Sequence, residues 1–303
     1  MILITGVSGS LGGLILRGLS GVEDVDVVAG SHSGGGGTIR RVDFDDPGSL
    51  PEAFLGVDVL LVVSAGYAED DVVFARHGAV ADAAAAAGVR HVIYTSAASS
   101  CESMTIAVPH RWTENRLASG PFSTTILRNG LYTEIPVGLA TAGAGEAAAT
   151  GEFAAPFGDG KISVVAREDL ADVAVRVAAE SQRDLDAGRP IRHAGRVYEL
   201  EGDTPIGGTD IAECLTAALG RPITYRPTSL SATRAALKDS GLEPYQIAHT
   251  LSTFSNVIAG RAQARTSDLA DLLPAPARQP KAAIAEAVAA GGYQGQSISA
   301  TRR

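Results

Sequence analysis

The chain opens on a strand that runs straight into glycines: Leu3-Ile4-Thr5-Gly6-Val7-Ser8-Gly9-Ser10-Leu11-Gly12. Three glycines at three-residue intervals separate a β-branched run at 2–5 from an amphipathic stretch at 11–19. Few folds accommodate that. Gly6 permits a tight turn, Gly9 removes the side chain that would block a phosphate, and Gly12 lets the helix pack close to the strand. The first turn of the helix then offers unpaired N–H groups and the positive end of its dipole. Ser8, Ser10 and Leu11 lie where their N–H groups join that set. In this strand–turn–helix context the segment reads as a pyrophosphate cradle, and the chain as a dinucleotide-binding protein.

Periodicity extends the reading. Segments that read as strands at 25–29, 39–44, 59–64 and 91–96 alternate with Ala/Leu-rich stretches, including a helix at 76–87 closed by Gly88. Continuously apolar strands separated by helices imply a parallel sheet covered on both faces, with right-handed crossovers. Beyond Arg128 the pattern loosens into helices at 167–180, 210–218, 230–240 and 281–290, and one more strand at 197–200. The expected fold class is α/β: a Rossmann-like doubly wound parallel sheet with a smaller α/β C-terminal substrate lobe. A soft boundary near Thr150 gives a nucleotide-binding domain at 1–150 and a substrate-binding lobe at 151–303, interleaved with the first. The glycines at 34–37 read as a loop, the alanines at 83–87 as helix-forming bias, and the polar residues from Gly291 onward as a disordered tail.

Composition sets the exclusions. The 303 residues, 45% hydrophobic and 19% charged, are enough to bury a substantial core. A net charge of −9 gives no general attraction for nucleic acid or anionic lipid. No apolar run approaches the ~20 residues needed to span a bilayer, and the first residues enter a strand without a basic leader. Cys101 and Cys214 stand far apart, in neither a disulfide framework nor a metal-ligand spacing. The expectation is a soluble, cytoplasmic, metal-free protein that acts on a small molecule, with a homodimer as the default assembly.

The end of the second strand bears on the cofactor. An acidic residue there would hydrogen-bond the ribose hydroxyls and repel a 2′-phosphate. This chain has Ala29-Gly30-Ser31-His32-Ser33 instead, with Arg40 and Arg41 shortly after. His32 and one of the arginines, Arg40 foremost, suit a 2′-phosphate, so the cofactor reads as NADPH, with NADH left open. The competing reading makes all three solvated surface groups.

Later segments carry a family resemblance. They are Tyr94-Thr95-Ser96, His110-Arg111-Trp112-Thr113-Glu114, Thr125-Ile126-Leu127-Arg128-Asn129-Gly130-Leu131-Tyr132-Thr133-Glu134, Gly158-Asp159-Gly160-Lys161-Ile162-Ser163, Val164-Val165-Ala166-Arg167-Glu168-Asp169 and Val197-Tyr198-Glu199-Leu200. With the G-x-x-G-x-x-G spacing, they resemble the NmrA-like branch of atypical short-chain dehydrogenases, in its quinone-oxidoreductase and triphenylmethane-reductase kinds. The likeness runs from Met1 to about Val288, and Leu127 to Tyr132 is its most specific part. It implies that Asp43 and Phe44 border the adenine ring. It also places Ile106 and His110 where carbonyl-reducing members of the superfamily carry the tyrosine and lysine of Y-x-x-x-K. Ordinary alcohol–ketone chemistry is thereby disfavoured. A quinone needs less: it is a strong hydride acceptor, and its reduced anion takes a proton from solvent. The expected activity is direct hydride transfer from NADPH to a quinone or quinone-like planar aromatic. A dinucleotide-sensing regulator without turnover is the alternative, and a biosynthetic reductase of a polyketide-like aromatic is a third reading.

Strand ends supply the remaining candidates. Carboxyl ends of strands in open parallel sheets point into the ligand crevice. Ser64 and Ala65 are therefore expected beside the ribose, and Thr95 or Ser96 near the nicotinamide. His110 is the candidate to orient the ribose or acceptor or to supply a proton, Asn129 to bond the carboxamide, and Tyr132 to lie along the acceptor ring. Each has a plain structural alternative: a strand-ending hydroxyl, a capping histidine, a core aromatic. Trp112 reads as helix packing, with a wall of the acceptor pocket as the alternative, Arg167 as an ion-pair partner of Glu168, Asp169 or a neighbouring chain that need not touch ligand, and Cys101 as an ordinary loop residue.

Overall fold

The computed structural model describes residues 1–35, 39–65 and 67–291. Part of the 34–37 glycine loop and the tail beyond Gly291 lie outside the described residues.

Seven parallel strands form the central sheet: β1 (Ile2–Ile4), β2 (Val27–Ser31), β3 (Ile39–Arg41), β4 (Val59–Val62), β5 (His91–Ala97), β6 (Ser123–Asn129) and β7 (Val197–Leu200). Their spatial order is β7-β6-β5-β4-β1-β2-β3, and every neighbouring pair is parallel. The order reverses between β1 and β4, so the crevice opens above the carboxyl ends of those two strands. Ile2 registers with both Val27 and Val59, which aligns the strand ends that rim it.

Alternation along each strand feeds two cores. Ile2, Ile4, Leu61, Ile93 and Leu127 face helix α1 (Ser10–Ser20) and a later helix at Arg167–Asp186. Leu3, Leu60, Val62, Val92 and Tyr94 face α2 (Asp70–Ala86) and α3 (Ala107–Ala118). A third core lies beyond the sheet, around α4 (Glu134–Thr150) and Phe153, Phe157, Ile211, Leu215, Phe254 and Ile284. The chain then returns: α5 (Arg167–Asp186) packs on α1, and β7 extends the sheet beside β6.

The structure shifts several element bounds. β2 starts two residues later than the apolar run suggests, after Asp24, which holds a φ of 70°. β3 stops at Arg41. α2 begins at Asp70 rather than 76, and the carboxylates of Asp70 and Asp71 suit the positive end of its dipole. Helix α4 has no counterpart in the sequence reading, because alanines and glycines give its buried face, Ala140, Ala144 and Ala147, no hydrophobic contrast.

Candidate active site

At the head of α1 the glycine turn is built as a bare-backbone cradle. Gly6 has a φ of +66°, and a Cβ on Gly12 would lie 2.2 Å from the Gly6 carbonyl oxygen. Gly9 is the N-cap, and the first turn of α1 carries no acidic residue. Gly9 N–H donates to Gly6 and Gly13 N–H to Gly9, whereas Ser8, Ser10, Leu11 and Gly12 N–H have no acceptor among the described residues. Thr5, fully buried, accepts from Val63 N–H (3.0 Å) and ties the turn to β4. A groove of about 460 Å³ opens over this cradle, with Ser8, Gly9 and Ser10 on one wall and Glu134, Arg167 and Glu168 on the other. Four free donors on a glycine turn whose close packing excludes a side chain at position 12 fit a dinucleotide pyrophosphate.

Beyond β2 and β3 lies an exposed charged surface. His32 Nε2 stands 3.4 Å from Asp43 Oδ2. Arg41 donates to Asp43 (3.0 Å) and Asp46 (2.7 Å), and Arg76 makes a bidentate pair with Asp45 (2.6 and 2.7 Å). Asp43, buried, also accepts from Asp45 N–H. Phe44 meets His77 edge-on at 6.3 Å. Arg40 is corrected here. It donates to the Ala53 and Leu55 carbonyls (2.7 and 2.9 Å) and touches Met1, at the amino end of β1, away from the cradle. Neighbouring strand residues point to opposite faces, so the arginine beside His32 and Asp43 is Arg41.

At the other end the groups are buried and neutral. Ser64 N–H donates to Thr95 Oγ1 (2.9 Å), and Ala65 N–H donates to His77 Nε2 (3.2 Å). With Nε2 accepting, the proton of His77 sits on Nδ1 and is given to Thr113 Oγ1 (2.8 Å), which donates on to the Pro109 carbonyl. Burial lowers the His77 pKa to about 3. His110 Nδ1 and the wholly buried Tyr94 hydroxyl are 2.8 Å apart. Burial, then the neighbouring Arg111, lowers the His110 pKa to about 4, and burial pushes the Tyr94 phenol upward. His110 Nε2 has no hydrogen-bond partner among the described residues, although the residue is 6% exposed. A neutral imidazole can orient a hydroxyl, but it holds no spare proton near pH 7.

Ser96 is also corrected. It is buried and donates to Glu114 Oε1 (2.5 Å) on α3, so its hydroxyl serves a ladder rather than the crevice. That ladder runs Glu102–Arg111–Glu114–Arg128–Glu199, with Arg128 bridging Glu114 (2.7 Å) and Glu199 (3.0 Å). Asn129 ends β6 and is buried, three residues before Tyr132. The Arg167 guanidinium lies 4.7 Å above the Tyr132 ring and pairs with Glu134 at 2.9 Å.

The structure thus gathers Gly6, Ser8, Gly9, Ser10, Leu11 and Gly12 at the cradle, Ser64, Ala65 and Thr95 at the ends of β4 and β5, and Asn129 with Tyr132 after β6. Trp112 lies outside this set, on the outer face against Phe74 (4.9 Å). Cys101 is buried, its thiol pushed up to about 12 by desolvation. Sequence reasoning missed His77, which holds the loop after β4, and Arg17, Glu134 and Arg167 along the groove. Among the described residues no group of three acidic, histidine or cysteine side chains is placed to hold a metal. No described helix is long and apolar enough to cross a membrane.

Fold and site together define a nicotinamide-dinucleotide-binding α/β protein. The family model described as NAD(P)H-binding matches residues 6–181, and the chain belongs to that family. It is 35% identical over 252 residues to quinone oxidoreductase 2 of Escherichia coli, across 80% of this chain and 82% of that protein. The NADPH complex of the NADPH-dependent quinone oxidoreductase from Escherichia coli aligns at a TM-score of 0.81 and 31% identity, over 94% of this chain and 99% of that one. The Citrobacter triphenylmethane reductase complexed with NADP(H) aligns at 0.81 and 26% identity, with the same coverage.

Proposed function

We propose that the chain is an NAD(P)H-dependent oxidoreductase that reduces a quinone or quinone-like planar aromatic, with NADPH as its cofactor. Support comes from the relatives, a quinone oxidoreductase and a triphenylmethane reductase, and from the chemistry of the groups at the nicotinamide end. Where a carbonyl reductase needs a tyrosine activated by lysine, this chain has Ile106 and a neutral His110 held by Tyr94. That pair carries the reading. It suits an acceptor whose reduced form needs no enzymic acid.

Reduced nicotinamide, when bound, supplies the hydride. The protein's own part is positioning. The glycine turn holds the pyrophosphate on free N–H groups. Thr95 keeps the β4 and β5 ends in register through Ser64, and His110 Nε2 is assigned to the ribose. Asn129 is assigned to the carboxamide, and Tyr132 to one face of the acceptor. Hydride transfer raises electron density on the acceptor oxygen, and solvent protonates it.

The test is oxidation of NADPH, followed by absorbance, across a panel of benzoquinones, naphthoquinones and triphenylmethane dyes. Acceptor-dependent turnover with at least one quinone is expected, together with a His110→Ala variant that raises the KM for NADPH more than it lowers kcat. No turnover across the panel, despite saturable NADPH binding, would reject the reading.

A further inference from the structure

Arg167 sits where its own helix disfavours it. It is the first residue of α5, at the positive end of the helix dipole, where carboxylates are stabilised and cations are not. The next two residues, Glu168 and Asp169, follow the electrostatic rule, and Asp169 is taken by Arg278. The guanidinium of Arg167 does not reach back to either. It turns across the groove onto the Tyr132 ring and pairs with Glu134 in the first turn of α4. A cation set against a helix dipole, in the wall of a groove whose other wall is a phosphate cradle, has a reason to be there beyond folding.

We infer that Arg167 is a cofactor-binding residue: it leaves Glu134 for the pyrophosphate when the dinucleotide enters, while Tyr132 keeps its guanidinium in place. The charges in the groove support the exchange. Arg17 and Arg167 are its cations, and Glu134 and Glu168 its carboxylates. Without Arg167 the wall opposite Ser8, Gly9 and Ser10 would present two carboxylates to an incoming dianion. The pair with Glu134 is partly exposed, at 28% and 46%, and so only weakly held. A pyrophosphate offers a guanidinium two parallel charge-assisted bonds in place of one. Arg167 retains its stack on Tyr132 through the exchange, and this couples an occupied cradle to the ring assigned to the acceptor. The inference rests on the dinucleotide reading but not on the identity of the acceptor.

Binding, not turnover, tests it. Dissociation constants of NADPH and of adenosine 2′-monophosphate, which lacks the pyrophosphate, are measured by calorimetry for wild type, Arg167→Ala and Glu134→Gln. Arg167→Ala is expected to weaken NADPH about ten- to a hundredfold, as for loss of a charged hydrogen bond, and to leave the monophosphate within about twofold. Glu134→Gln removes the competing carboxylate and is expected to tighten NADPH by about two- to fivefold, a gain that damaged folding cannot mimic. Equal weakening of both ligands by Arg167→Ala would overturn the inference, as would NADPH affinity unchanged in that variant. If Arg167→Ala does not fold, Glu134→Gln decides alone: tightening supports the exchange, and an unchanged or weaker affinity overturns it. Quinone turnover by wild type is read separately, so a failed acceptor assignment leaves this result standing.

Discussion

The two ends of the crevice are built on opposite principles. At the end assigned to adenine, Arg41 pairs with Asp46 and with the buried Asp43, Arg76 pairs with Asp45, and His32 lies beside Asp43. At the end assigned to the nicotinamide, His77, Tyr94, Thr95, His110 and Thr113 are all buried, joined to one another and to the strand ends by single hydrogen bonds. Exposed ion pairs contribute little to stability and rearrange readily. Buried neutral networks fix geometry, because every group that loses its partner keeps its desolvation cost. Discrimination between cofactors therefore belongs to a surface that can adjust, and the reacting end to one that cannot.

The glycine turn joins the two ends and is the place to break both at once. Gly12→Ala drives a methyl group to within 2.2 Å of the Gly6 carbonyl, so the turn has to open. NADPH affinity is expected to fall by about a hundredfold or more, the effect of backbone overpacking at a binding surface. Titration of reduced-nicotinamide fluorescence measures it, with circular dichroism confirming that the sheet persists. Affinity within about threefold of wild type would mean that the pyrophosphate lies elsewhere.

This turn was legible because its chemistry is local: ten consecutive residues carry strand, turn and helix. The sheet was legible for the same reason, since buried parallel strands announce themselves as apolar runs. What escaped depended on facing and on distance. Arg40 and Arg41 are indistinguishable as a string, and only the direction of the β3 pleat sends Arg41 to His32 and Arg40 to the Ala53 carbonyl. Ser96 was misread in the same way, one residue out of phase with Thr95. Arg167 lines the groove beside the cradle only because α5 returns to pack on α1, a contact with no local signature. Helix α4 was lost to its alanines and glycines, and with it the placement of Glu134.

Acid should break the nicotinamide end first. His77 and His110 are held neutral by burial, with folded pKa values of about 3 and about 4 against 6.5 in water. The unfolded chain then binds more protons than the native one between those limits, so stability is full above pH 6.5 and declines as pH falls toward 4. Each histidine is expected to cost up to about 2 kcal/mol between pH 6.5 and 5. Denaturant midpoints at pH 7, 6 and 5 measure the decline, and His77→Asn should remove its share, leaving those of His110 and of His91, also lowered to about 4 by burial. The same depressed values predict no inflection of turnover near pH 6.5 from His110. A bell-shaped profile centred there would show that the imidazole does carry a working proton.

The adenine end gives the smallest effect and the sharpest discrimination. Arg41 is half-exposed and already shared between Asp43 and Asp46, so a 2′-phosphate recruits it by exchange. Arg41→Ala is expected to raise the KM for NADPH about tenfold, the scale of one charge-assisted contact, with little change in kcat or in the KM for NADH. Arg40→Ala makes the contrast. Its guanidinium holds the Ala53 and Leu55 carbonyls at the far end of the sheet, so its loss should lower the melting temperature and leave the NADPH-to-NADH preference as it was. Should Arg40→Ala change the preference and Arg41→Ala leave it alone, the pleat of β3 would be the wrong guide to which arginine meets the cofactor. Should neither change it, His32 would be left as the candidate for the 2′-phosphate, to be tested by His32→Ala.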